Sequence, residues 1–118
     1  AMNIEIVQPG PADLPRLHAL LDVFGAAFED PETYAAQRPD DAYLRRLLGS
    51  DTFVVLVAEV DGVVAGGLVA YELRKFEQAR SELYIYDLAM ATTHRRRGLA
   101  TALIRHLQDL AAARGAGV

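Results

Sequence analysis

The segment from residue 81 to residue 113 constrains the fold more than any other part of this chain. It begins with SELYIYDLAM, which has the aromatic and β-branched enrichment of an interior strand. After the turn TTHRRRGLA, apolar side chains recur at helical spacing, at Leu99, Leu103, Leu107 and Leu110. The hydrophobic period therefore changes from that of a strand to that of a helix across three arginines and a glycine. The pattern predicts a strand that turns through glycine into a helix.

A turn of this kind exposes the first backbone N–H groups of the helix at the positive end of its dipole, where anions bind. Arg95, Arg96 and Arg97 stand directly before Gly98 and add bidentate phosphate donors. A solvated basic patch or a nucleic-acid contact is the alternative explanation of the triplet. We favour a phosphate site, because a glycine and a helix follow, and we expect the phosphates to belong to a cofactor.

The composition predicts one cytoplasmic domain spanning all 118 residues, with Ala1 and Met2 as a tag remnant. A hydrophobic content of 52% argues against disorder, and the absence of cysteine excludes disulfides, thiolate metal sites and a cysteine nucleophile. We assign no metal site. The longest apolar runs are strand-sized, so we predict no membrane span. A net charge of −4 disfavours nucleic acid as the main partner and suits a cationic small molecule.

The predicted element order is β-α-α-β-β-β-α. A strand over residues 3–7 precedes a helix with Asp13 as its N-cap. The apolar face of this helix contains Leu14, Leu17, Leu21, Phe24 and Phe28. A second helix runs from about Asp40, its N-cap, to residue 48, and we place Tyr43 and the neighbouring leucines on its buried face.

Two strands over residues 52–60 and 63–73 follow. Asp61-Gly62 between them predicts a type I′ hairpin turn, which needs positive φ at both positions. Gly66-Gly67 in the second strand indicates a bulge or a close backbone approach, with ligand access as a secondary possibility. A polar loop over residues 74–80 then leads into the interior strand that begins at Ser81.

Two motifs resemble a known family. RRRGLA at residues 95–100 matches the R/Q-x-x-G-x-G/A signature of the GNAT superfamily of acetyl-CoA-dependent N-acetyltransferases. The run KFEQARSE at 75–82, continued by YIYDLA at 84–89, resembles the aminoglycoside 3-N-acetyltransferases of the gentamicin-resistance type. The likeness also covers LDVFG at 21–25, Phe28 and Thr33-Tyr34. It implies the α/β (α+β) GNAT fold, a mixed central sheet flanked by helices, and we expect the chain to stop before the family's C-terminal strand-helix-strand elements.

The resemblance implies that the 3-amino group of an aminoglycoside, a polycationic amine, attacks acetyl-CoA directly in a ternary complex. It further implies that the pantetheine arm pairs with the central strand and that the pyrophosphate lies on the amides of the following turn. The predicted cofactor-binding residues are Leu88, Ala89, Met90, Arg95, Arg96, Arg97, Gly98, Leu99, Ala100 and Thr101.

Asp87 is the candidate general base, because a carboxylate at the end of an apolar strand is costly unless it serves a ligand or a partner. A structural, hydrogen-bonded aspartate is the alternative. The resemblance to the resistance enzymes favours a functional role, either as the base or as an anchor for a substrate ammonium. We assign Tyr86 beside it to the catalytic pocket, with core packing as the alternative. General-base help of this kind contributes about 10²–10⁴-fold. No residue is assigned to protonate the leaving thiolate.

Four acidic residues are candidates for binding the amine: Glu29, Asp30, Glu77 and Glu82. A solvated cluster at a helix start is the plainer explanation of the first two. We also expect a homodimer, because an open central strand leaves unpaired backbone groups at a sheet edge. The alternative functions are a GNAT enzyme for another small amine or a peptide N-terminus, and a non-catalytic CoA-binding or assembly fragment.

Overall fold

A computed structural model describes residues 3–118, so the interpretation of Ala1 and Met2 lies outside the described residues. The elements, in chain order, are β1 (Ile4–Val7), α1 (Leu14–Ala27), a π-helix (Glu32–Ala36), α2 (Asp41–Leu48), β2 (Phe53–Val60), β3 (Val63–Arg74), β4 (Ser81–Met90), a 3₁₀ turn (Thr92–His94) and α3 (Leu99–Arg114). The predicted order of strands and α-helices is confirmed. The π-helix and the 3₁₀ turn were not predicted.

The strands form one antiparallel sheet in the order β1-β2-β3-β4. Asp61 and Gly62 connect β2 to β3 with φ angles of 51° and 83°, so both positions are positive, as the hairpin prediction requires. After α3 the chain returns to the sheet, where Gly117 forms a parallel bridge with Glu82 of β4. Within the described residues, this bridge is what gives the sheet its mixed character.

The glycine doublet in β3 is explained by a bulge and by close packing. Ala65 has no opposite residue on β2, because the pairing of the two strands changes register there. A Cβ atom at Gly67 would lie 2.5 Å from the carbonyl oxygen of Leu56 and 2.6 Å from the side chain of Leu20 on α1. A Cβ atom at Gly66 would collide with β4. The two glycines therefore let α1 and β4 approach the backbone of β3.

Helices cover both faces of the sheet. The buried residues on the α3 side are Val54, Leu56, Ala58, Val60, Ala65, Leu68, Ala70, Leu83, Met90, Leu99, Leu103, Leu107 and Ala111. The α1 and α2 side buries Leu14, Leu17, Leu20, Phe24, Leu44, Phe53, Val55, Val57 and Val69. No helix among residues 3–118 is both long enough and apolar enough to span a bilayer.

Three details of the helices differ from what the sequence predicted. Leu20, rather than Leu21, is the more buried leucine on α1, because Leu20 packs directly on Gly67. Tyr43 is 50% exposed, because it lies at the rim of α2 instead of on its buried face. Asp13 is the N-cap residue of α1, as predicted, but its carboxylate makes no cap hydrogen bond; it binds Arg16 at 2.6 Å instead.

Candidate active site

A cleft of about 440 Å³ lies where β4 ends and α3 begins. All of the predicted cofactor-binding residues except Arg97 line it, and His94 of the 3₁₀ turn is added to them. The structure therefore brings the end of the central strand and the start of the last helix together around one concave surface.

The backbone at the start of α3 is open to an anion. Gly98 precedes the helix with a φ of 77°, and apart from Gly98 and its two chain neighbours no described residue has an atom within 4 Å of the position where its Cβ would stand. The Ala102 N–H donates to the Gly98 carbonyl at 3.0 Å, and the three N–H groups of residues 99–101 have no acceptor earlier in the helix. The Gly98 N-cap supplies no side chain to satisfy them. Arg95 and Arg96 line the same cleft, so backbone donors and guanidinium groups converge there.

A β-bulge in β4 positions the candidate base. Tyr86 is the extra residue between the pairs Val69–Asp87 and Ala70–Ile85. A bulge bends its strand and redirects the side chains beside it. Asp87 follows the bulge directly and lines a small cavity of about 160 Å³ beneath α1 and α2.

The surroundings of Asp87 are mostly apolar, with tyrosine hydroxyls among them. Leu17, Leu21 and Phe24 line the same cavity, together with Tyr34 of the π-helix. Burial raises the pKa of Asp87, and a hydrogen bond with the Tyr34 side chain acts in the opposite direction. A carboxylate in this environment is suited to taking up a proton.

Tyr86 does not pack in the core; its side chain is 69% exposed. With Tyr71, Leu73 and Tyr84 it lines a depression of about 490 Å³, which we call the tyrosine platform. The rings of Tyr71 and Tyr86 meet edge to face, with centroids 5.8 Å apart. The platform leaves aromatic surface exposed beside Asp87.

The predicted acidic residues separate into two groups. Glu29 lines a cleft of about 370 Å³ with Asp22. Asp30 accepts a hydrogen bond from the Thr33 N–H at 3.2 Å and contributes to the raised pKa of Tyr34, after burial and the charge of Asp87. Glu29 and Asp30 therefore lie at the turn that carries Tyr34 towards Asp87.

Glu77 and Glu82 belong to a different cluster. Lys75 Nζ lies 3.4 Å from Glu77 and 3.3 Å from Glu82, and Arg80 lies 3.2 Å from Glu82. Glu82 precedes Asp87 by about 16 Å of extended strand, at roughly 3.3 Å per residue. The structure does not bring this pair to Asp87, and their predicted role in binding the amine stays a prediction.

Sequence reasoning gave no role to two residues that the structure places at these surfaces. His94 lies in the unpredicted 3₁₀ turn and lines the cleft. Its position between the strand and the arginines is the sequence feature that could have identified it as a cleft residue. Tyr34 lies in a short link without hydrophobic periodicity, so the local sequence pattern assigned it no function. The sequence feature that could have identified it is its inclusion in the family likeness.

Residues 17–118 match the model of the acetyltransferase (GNAT) family. The chain belongs to this family. No curated protein sequence gives a significant match to it. The structural comparisons are more specific, and each describes what this GNAT acetyltransferase is similar to.

An aminoglycoside acetyltransferase from an uncultured soil metagenomic sample is 56% identical, with a TM-score of 0.94 over 97% of this chain and 75% of that one. A second aminoglycoside acetyltransferase from such a sample, solved in complex with sisomicin, is 31% identical, with a TM-score of 0.87 over 96% of this chain and 72% of that one. These two relatives confirm the GNAT fold predicted from the sequence.

The aminoglycoside N-acetyltransferase AAC(6′)-Iy in complex with CoA is 20% identical, with a TM-score of 0.74 over 98% of this chain and 74% of that one. At that identity the likeness shows the fold alone. The comparisons establish a GNAT-type acetyltransferase with aminoglycoside acetyltransferases among its structural neighbours.

Proposed function

We propose that this protein transfers the acetyl group of acetyl-CoA to an aminoglycoside, at the 3-amino group that the sequence resemblance indicates. One observation carries the proposal: Asp87 directly precedes Leu88, which lines the β4–α3 cleft, and Asp87 shares its own cavity with Tyr71 of the tyrosine platform. A carboxylate in this position can serve a donor on one side and an amine on the other. The 56% and 31% identical relatives, both aminoglycoside acetyltransferases, support the choice of acceptor.

The cleft fits a CoA thioester. The open N–H groups of residues 99–101, together with Arg95 and Arg96, suit a diphosphate. Leu88, Ala89 and Met90 present strand backbone at the same cleft, where an extended amide-containing chain can hydrogen-bond. Acetyl-CoA, when bound, supplies an acyl carbon that is activated towards amines.

The tyrosine platform, together with the acidic residues Glu29 and Asp30, fits a cationic sugar. Tyrosine rings pack against the apolar faces of sugar rings, and the platform of Tyr71, Leu73, Tyr84 and Tyr86 offers three such rings. Glu29 and Asp30 add negative charge at the turn before Tyr34, and this charge attracts ammonium groups. The combination of aromatic surface and carboxylates favours an amino sugar over a simple alkyl polyamine.

The chemistry assigned to Asp87 is proton removal. Its carboxylate takes a proton from the bound ammonium, and the resulting free amine attacks the thioester carbonyl carbon. The new C–N bond replaces the C–S bond. The nitrogen releases its second proton to solvent, and the departing thiolate takes a proton from solvent. Asp87 then returns its proton to water. The raised pKa of Asp87, caused by burial, brings its basicity closer to that required for this exchange.

The test is an acetyl-transfer assay with acetyl-CoA and gentamicin, in which free thiol is measured. We expect turnover by the unmodified protein, and a loss of about 10²–10⁴-fold in kcat/KM for Asp87→Asn with CoA affinity unchanged. Asp109→Asn, an exposed aspartate on α3, is the matched control and should retain activity. NMR of the product identifies the acetylated nitrogen.

The assay also separates the alternatives. Activity with polyamines or peptides but not with gentamicin would favour another GNAT substrate. CoA binding by calorimetry without turnover on any amine would favour a non-catalytic CoA-binding fragment. An active Asp87→Asn variant would refute the assignment of the base.

A further inference from the structure

The Tyr34 ring packs against two aromatic rings, one on α1 and one on the residue that follows α1. Its ring lies 6.0 Å from that of Phe24 and 5.6 Å from that of Phe28, measured between centroids. Its Cβ also faces Gly25, where an added Cβ would lie only 3.3 Å away. The ring is therefore confined by α1, and it crosses from the π-helix towards the sheet.

The backbone of Tyr34 is held as well. Arg38 donates to the Tyr34 carbonyl from Nη2 at 2.6 Å and from Nε at 3.0 Å. The same guanidinium binds Asp22 at 2.8 Å and the Nδ1 of His18 at 3.1 Å, and both of these residues belong to α1. π-Helical segments recur at functional sites, where they offset a side chain from the regular helical register. Here the π-helix is fixed to α1 at the residue whose side chain shares a cavity with Asp87.

The Tyr34 side chain and Asp87 face a common space. Both residues line the cavity of about 160 Å³. The titratable groups that influence this pair or lie beside it are the Asp30 carboxylate and three hydroxyls from separate elements: Tyr71 on β3, Tyr86 on β4 and, next to Tyr71, Tyr43 on α2. Tyr34 is the one among them whose side chain acts on Asp87 as a hydrogen-bond donor, which lowers the pKa of Asp87 against the effect of burial.

We propose that Tyr34 is a positioning residue whose hydroxyl orients the Asp87 carboxylate towards the acceptor amine. The inference rests on the proposed function, because acetyl transfer is what gives Asp87 a proton to accept. A donor on one carboxylate oxygen fixes the side-chain rotamer and leaves the second oxygen for the substrate ammonium. Burial, the charge of Asp87 and the charge of Asp30 all raise the pKa of Tyr34, so its hydroxyl stays protonated and remains a donor.

The experiment uses Tyr34→Phe, which removes the hydroxyl and keeps the ring against Phe24 and Phe28. Tyr43→Phe, in the same cavity wall, is the matched control. Two quantities are measured for each variant: the titration of the Asp87 carboxyl carbon by NMR without substrate, and the pH dependence of kcat/KM. Asp87→Asn identifies the carboxyl signal. Thermal unfolding confirms that each variant is folded.

In Tyr34→Phe we expect the Asp87 titration to move to higher pH, because the charged form loses a donor. The acidic limb of kcat/KM moves in the same direction, with a loss of about three- to tenfold on that limb that is recovered at higher pH. A residue with a merely structural role would lower kcat/KM equally at every pH. Tyr43→Phe leaves both curves in place.

Gly25→Ala provides a second test that keeps the hydroxyl. The added methyl group presses on the Tyr34 Cβ and displaces it by a few tenths of an ångström. We expect a smaller shift of both curves in the same direction.

The outcomes distinguish the two proposals. An unchanged Asp87 titration in Tyr34→Phe overturns the inference about Tyr34. A shifted titration with an unchanged pH–rate limb overturns the role of Asp87 as the base, and with it the proposed mechanism. Shifts in both curves support both proposals.

Discussion

The two faces of the sheet bury very different chemistry. On the α3 side, every residue of the buried cluster is apolar, and Leu103 and Leu107 have no exposed surface. The α1 and α2 side includes Glu59, which is 6% exposed and is the buried charged residue among residues 3–118. The half-buried Asp87 lies on this side too.

The two faces therefore differ: the α3 face is purely apolar and supports the fold, whereas the α1 face also holds ionisable side chains. The α3 face is a continuous hydrophobic layer that holds β4 and the start of α3 in register for the cleft. The α1 face tolerates costly ionisable groups, each with a specific partner, such as Arg16 for Glu59 and Tyr34 for Asp87. Natural proteins accept such costs where function requires them. We therefore expect substitutions on the two faces to change the stability of the protein for different physical reasons.

The largest effect is expected from Leu103→Ala on the α3 face. Leu103 is fully buried between α3 and the sheet, so truncation removes buried surface and leaves a cavity. We expect a loss of about 3 kcal/mol in the free energy of unfolding. Leu73→Ala, at a position 51% exposed, is the control and should cost much less. Denaturant unfolding measures the free energy of unfolding of both variants. Equal losses would show that the buried and the exposed leucine do not differ in their contribution to stability.

On the α1 face, Arg16→Ala should destabilise the protein, by less than Leu103→Ala does. Arg16 Nε lies 2.6 Å from Glu59, and its Nη1 lies 2.6 Å from Asp13. These hydrogen bonds and charges raise the pKa of Arg16. Its removal leaves a buried carboxylate without its cation, and this unpaired charge is the main cost. Denaturant unfolding measures the loss.

The double variant Arg16→Ala, Glu59→Gln tests that cause. If the unpaired carboxylate is responsible, the second substitution restores part of the lost free energy of unfolding. Arg105→Ala, an exposed arginine on α3, is the control for loss of a surface charge. No recovery in the double variant would show that packing of the Arg16 stem, and not charge, accounts for the loss.

Local patterns in the sequence predicted much of this architecture. The change of period around Arg95–Gly98 predicted β4, the turn and α3, because each depends on residues that are close in the chain. Asp61-Gly62 predicted its hairpin for the same reason. The cleft followed from those elements, and the structure gathers almost all of its predicted lining residues.

Features that depend on distant contacts were not predicted. The bulge at Tyr86 arises from the pairing of β4 with β3, so that its ring points outwards instead of into the core. The position of Tyr34 depends on a π-helix held by Arg38, and Arg38 is itself fixed by α1. Glu82 looked available for a substrate because its ion pairs with Lys75 and Arg80 form only in the folded loop.

The smallest effect, and the one that best tests the comparison, is a gain in stability for Asp87→Asn. Burial raises the pKa of Asp87 above its value in the unfolded chain, so the folded protein binds this proton more tightly and loses stability as pH rises through that range. At pH 7 the amide avoids the cost of the buried charge, and we expect Tm to increase by less than about 4 °C, roughly the shift that 1 kcal/mol produces in a domain of this size. At pH 4, near the ordinary aspartate pKa of about 3.9, the gain should shrink. Thermal unfolding at both pH values, with Asp109→Asn as the control, measures it. A variant less stable than the unmodified protein at pH 7 would instead make Asp87 a structural hydrogen-bonding residue, and the α1 face would then resemble the α3 face in serving stability alone.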